Sequence, residues 1–110
     1  MTMELTVEIV AAGLSGPPAG APVIVQIRDA GLQDEASTTV AEVRVTSNEC
    51  TAGEPFARAH LRMESGSGYP IVWVHVDVDE SGDVTKGDFI TMQSYPVREG
   101  GTMRVEVRQV

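Results

Sequence analysis

Apolar and polar residues alternate with period two through most of this chain, a spacing that predicts strands, because successive strand side chains point to opposite faces. Met3–Ile9 alternates in this way, and Pro22–Arg28 follows a Gly/Pro-rich turn stretch between Gly13 and Gly20. Thr39–Thr46 alternates again, as does Phe56–Met63, whose spacing puts Phe56, Arg58, His60 and Arg62 on one side. The strongest segment is Ile71–Val78, in which Val72, Val74, Val76 and Val78 form one β-branched face and Trp73 and His75 the other. Branched side chains lose rotamer freedom in helices and pack well on a pleated sheet. Large residues on both faces predict a strand that is central or covered on both sides. Phe89–Gln93 and Met103–Arg108 complete a set of seven.

Seven short strands divided by Gly, Pro, Asn and Ser turns predict an all-β fold, a seven-stranded antiparallel β-sandwich of two packed sheets. Residues 30–37, between the second and third strands, leave room for a short helical turn. At 110 residues without internal repeat or linker, the expected organisation is one domain over 1–110.

Composition removes several function classes. A net charge of −8 disfavours nucleic acid and anionic membrane surfaces, both of which need basic patches. No apolar run approaches the roughly 18 residues of a membrane span. The opening Met1–Leu5 lacks a basic stretch followed by an apolar one, so no secretory leader is read. The default expectation is a cytoplasmic chain, or an extracytoplasmic one already trimmed. Cys50 is the sole cysteine and excludes an internal disulfide and multi-cysteine zinc sites. No nucleophile elbow, phosphate loop or dinucleotide fingerprint is present. His60 and His75 lie on separate strands, and strand histidines more often pack or face solvent than act as bases. The expectation is a binding or structural module, not an enzyme.

The acidic surplus is concentrated. Asp77, Asp79, Glu80, Asp83 and Asp88 against Lys86 alone leave four net negative charges within twelve residues, half of the total. Their spacing resembles the calcium loop of EF-hands. Oxygen side chains are needed at its first, third and fifth positions, here Asp77, Asp79 and Ser81, with glycine at the sixth, Gly82. Asp83 would offer its carbonyl, Thr85 a water-mediated contact, and Asp88 the closing carboxylate, one methylene shorter than the usual Glu. Ca2+ suits this all-oxygen set, and Mg2+, which demands a tighter octahedron, suits it less. A valine-rich strand leads in where an EF-hand has a helix, so a bound ion would brace a strand connection. The plainer reading stays beside it: Asp, Ser and Gly favour turns with no metal at all.

A wider resemblance is carried by Ala21–Asp29, Leu32-Gln33-Asp34, Val40-Ala41-Glu42, Pro55-Phe56, the strand into Val76-Asp77, and Ser94-Tyr95-Pro96-Val97. In order and layout these resemble the type III secretion lipoprotein chaperone family of secretin-pilot-type β-sandwiches, over roughly Leu5 to Val107. The resemblance implies a β-sandwich and an accessory role in secretion or assembly, with a protein partner. Two functional readings follow: a calcium-braced module that binds a protein partner, or a metal-free scaffold that takes up a peptide by strand addition. A hydrolase using His60 or His75 is the remaining alternative.

Overall fold

The computed structural model describes residues 2–13, 16–29, 38–49, 53–64, 70–93, 95–97 and 101–110. Eight strands run in the order β1 (Thr2–Ala11), β2 (Pro22–Asp29), β3 (Thr38–Thr46), β4 (Ala57–Glu64), β5 (Pro70–Val76), β6 (Phe89–Ile90), β7 (Tyr95–Pro96) and β8 (Gly101–Gln109). The all-β expectation holds, and among the described residues there is no helix. The helical turn expected near 30–37 lies outside the described residues.

Two details differ from the sandwich read off the sequence. The strands form one hydrogen-bonded path, β3-β2-β5-β6-β8-β1-β4, with β7 added to β5. Strands β3 and β4, the two ends of that path, lie against each other without ladder bonds. The sheet therefore curls almost into a barrel. Nor is it purely antiparallel, because β1 and β8 pair in parallel from Leu5↔Gly101 to Ala11↔Val107. Strand β8 carries the sheet round the corner, since Phe89↔Gln109 and Ile90↔Arg108 join its last turn antiparallel to β6. Alternation within a strand reveals its faces but not its partners, so no local signal marks this parallel pair.

The inward faces meet the expected alternation. Leu5, Val7 and Ile9 of β1 pack with Val23, Val25 and Ile27 of β2, Ala57, Ala59 and Leu61 of β4, Val72, Val74 and Val76 of β5, and Val105 and Val107 of β8. Phe56 departs from the pattern. It is fully buried, while Arg58, His60 and Arg62 face solvent. It precedes β4, and its N–H donates to the Ile9 carbonyl while its own carbonyl accepts from Asn48, which turns the ring inward.

The expected sixth strand, Phe89–Gln93, is cut to two residues. Beyond Ile90, Thr91 takes over as partner of β5: its N–H donates to the Val74 carbonyl and its hydroxyl accepts from the Val74 N–H. Tyr95 of β7 then bridges to β8, its hydroxyl accepting from the Glu106 N–H at 3.1 Å. Strand β5 is central as expected, flanked by β2 on one side and by β6 and β7 on the other.

Candidate functional site

Strand β5 ends at Val76 because Asp77 begins a loop that returns to the sheet at Phe89. That loop folds on itself through its acidic side chains. The Asp77 carboxylate accepts from the Ser81 N–H at 3.2 Å and the Gly82 N–H at 2.8 Å. The Asp79 carboxylate accepts from the same Ser81 N–H and from the Thr85 hydroxyl at 2.7 Å. The Ser81 hydroxyl donates to the Asp83 carbonyl at 3.0 Å. So tight a reversal needs left-handed backbone, found at Gly82 with φ +86° and, unusually for a side-chain-bearing residue, at Glu80 with φ +54°. Glycine at the sixth loop position was legible in sequence; the strained Glu80 was not.

Asp88 joins this loop to the sheet. Its Oδ1 accepts from the Val78 N–H at 2.9 Å, and its Oδ2 faces His75 Nε2 at 2.8 Å, the Thr85 N–H at 3.2 Å and the Thr85 hydroxyl at 3.4 Å. Burial is the largest influence on this carboxyl and by itself would raise its pKa, but the donors from His75, Thr85 and Val78 together outweigh it and hold the group below the ordinary value. Asp88 is thus a buried anion, and His75 serves it as donor. Asp79, in the open part of the loop, is lowered to about 2, chiefly by the Thr85 hydroxyl and then by Ser81.

All six residues expected as ligands are therefore gathered into one network: Asp77, Asp79, Ser81 and Asp83 at its turn, Thr85 and Asp88 at its base. Its oxygen donors are of the hard kind that Ca2+ prefers. Asp88 is the departure from the calcium scheme. With the His75 ring and the Val78 and Thr85 N–H groups already on its carboxylate, it braces the loop, and binding an ion through Oδ2 would compete with the donors there. His75 was not expected to take part. One of its ring nitrogens, with one oxygen each from Asp77 and Asp88, forms a buried group whose atoms lie within 4.8 Å of one another. The only sequence cue was its place two residues before Asp77 on the outer face of β5.

One flank of the loop overhangs the outer face of β3, β2 and β5. There a groove of about 480 Å³ runs from Glu80, Asp83 and Val84 past Ile24 and His75 to Trp73 and Arg28. The Arg28 guanidinium stacks 4.1 Å over the Trp73 ring and donates to Gln26, which in turn donates to Glu42. Trp73 is thus covered in part by Arg28, and His75 by the loop. His60 lies elsewhere, on the exposed face of β4, where it bonds the Thr6 hydroxyl. The two histidines form no joint site. Cys50 lies outside the described residues.

No family model and no curated protein matches the chain. Among solved structures it resembles an alternative pilotin from the type II secretion system of Vibrio cholerae, with a TM-score of 0.74. The likeness covers 100% of this chain and 98% of that one at 19% identity. At that identity the likeness is one of fold. The finer resemblance to the type III secretion lipoprotein chaperones rests on sequence layout alone.

Proposed function

We propose that this chain is a non-enzymatic accessory module of a secretion or surface-assembly system, which engages a protein partner and carries a Ca2+-braced loop at Asp77–Asp88. The observation that carries the first half is the end-to-end likeness of fold to a pilotin, with neither chain leaving a large remainder. Support for the second half is the gathering of Asp77, Asp79, Ser81, Asp83 and Thr85 around one turn, with Asp79 ionised down to about pH 2. A divalent cation would relieve the mutual repulsion of these carboxylates and stabilise the folded state, by about 2.7 kcal/mol when free ion stands at a hundred times its Kd.

Thermal unfolding of chelator-treated protein, with Ca2+ or Mg2+ titrated back, tests the loop. A rise in midpoint specific to Ca2+ is expected, and Asp77→Ala should abolish it; the same rise in that variant would refute the assignment. Capture of a secretion-system component by the wild-type protein, weakened by chelator, tests the wider role.

One observation favours a second reading, a metal-free scaffold that adds a partner strand. Asp88 already accepts from the Val78 N–H, the His75 ring and the Thr85 N–H, so the base of the loop is braced by protein donors without an ion. Partner capture indifferent to chelator would select this reading.

A further inference from the structure

His75, Asp77 and Asp88 are each more than nine-tenths buried, and they come from the end of β5 and the two ends of the loop that follows it. One ring nitrogen of His75 and one oxygen from each carboxylate lie within 4.8 Å of one another. Backbone groups aim both carboxylates: Asp77 accepts from the Ser81 and Gly82 N–H groups, and Asp88 Oδ1 from the Val78 N–H. Outer hydrogen bonds of this kind fix the orientation of metal-binding side chains. Two buried carboxylates so close together concentrate negative charge that a cation offsets.

A second, independent observation comes from the imidazole. Within the protein His75 uses only Nε2, which faces Asp88 Oδ2 at 2.8 Å. Among the described residues Nδ1 has no hydrogen bond, although the residue is only 4% exposed. No buried side-chain nitrogen or oxygen among those residues lacks a partner, so Nδ1 is not sealed in and opens on the groove that His75 and Asp77 line together. Glu80 and Asp83 stand on the same groove and draw cations toward it. We propose that His75, Asp77 and Asp88 bind a divalent transition-metal ion, of the class of Zn2+, which enters from this groove.

The nitrogen donor sets the ion class. Ca2+ and Mg2+ prefer oxygen alone, whereas imidazole with carboxylates suits Zn2+ and its neighbours in the first transition row. Spacing agrees with this. Two donors about 2.0–2.1 Å from one ion, at right or tetrahedral angles, stand roughly 2.9–3.4 Å apart. The 2.8 Å between Nε2 and Oδ2 is close to that range. The ion takes the place of the proton between His75 and Asp88, and the ring then carries its proton on Nδ1, toward groove water. Three protein ligands leave a fourth position for water. Asp77 and Asp88 belong also to the Ca2+ set proposed above. His75 belongs to this site alone and Asp79 to the loop alone, so neither proposal depends on the other.

Calorimetric titration of the chelator-treated full chain with Zn2+ provides the test. One ion per chain is expected. His75→Gln keeps an amide N–H for Asp88 but removes the imidazole, and should weaken binding at least about tenfold. His60→Ala and Cys50→Ser should bind as wild type, and melting midpoints verify the fold of each variant. In the wild type, where no question of folding arises, Zn2+ should move the ring NMR signals of His75 and leave those of His60 in place. Asp79→Ala should keep Zn2+ binding while losing the Ca2+ response. Failure of the calcium reading would show instead as a missing Ca2+ response in the wild type beside intact Zn2+ binding. A wild type that takes up no Zn2+, His75 ring signals that stay in place at saturating Zn2+, or undiminished binding by a folded His75→Gln would each overturn the proposal.

Discussion

Asp88 is the residue on which the loop depends, because its loss strands the His75 ring and the Val78 and Thr85 N–H groups that it accepts from. Replacing its principal side-chain partner, His75→Ala, should cost about 1–3 kcal/mol in denaturant unfolding, the range for a buried polar group deprived of its bond. The pH dependence follows from the sign of the shifts. Asp79 and Asp88 both have folded pKa values below the ordinary carboxylate value, so the unfolded chain binds their protons first. Their stabilisation is complete above about pH 5 and is lost as pH falls below the ordinary carboxylate range, for Asp79 toward about 2. Asp88→Asn should lower stability at neutral pH and flatten that acid limb; an acid limb as steep as wild type would remove Asp88 from this role.

At the level of elements, the connection between β5 and β6 is as constrained as the strands it joins. Gly82 at φ +86° has open space where a Cβ would stand, so Gly82→Ala meets a backbone penalty without a clash. A loss of about 1–2 kcal/mol is expected by chemical denaturation. The strand cores behave differently. Ile9 is wholly buried on β1, between β4 and β8, and Ile9→Ala should cost about 2–5 kcal/mol through lost burial and the cavity left behind.

Over the whole molecule, charge is unevenly placed. A net −8 includes four net negative charges in the 77–88 loop, whereas the outer face of β4, β1 and β8 pairs Arg58 and Arg104 with Glu8 and Arg62 with Glu4. Those exposed pairs contribute little each. The unbalanced acids repel one another over distances comparable to the screening length, so monovalent salt should raise the melting midpoint. Calcium titrations compared at matched ionic strength then separate ion binding from screening. A midpoint that falls with added salt would contradict this distribution of charge.

The inward faces of β1, β2, β4, β5 and β8 were legible in the sequence, because burial on one side of a pleated strand imposes period two on its residues. So was the loop, since a sharp acidic turn needs Gly82 and short oxygen side chains at fixed spacing. Tertiary structure alone decided the rest. Which strands neighbour one another depends on contacts far apart in the chain, and so the parallel β1–β8 pair and the near-closure of the sheet had no local signal. The same holds for Phe56, turned inward by the chain's entry into β4. It holds for His75, which became part of the site only when the loop folded back and set Asp88 against it.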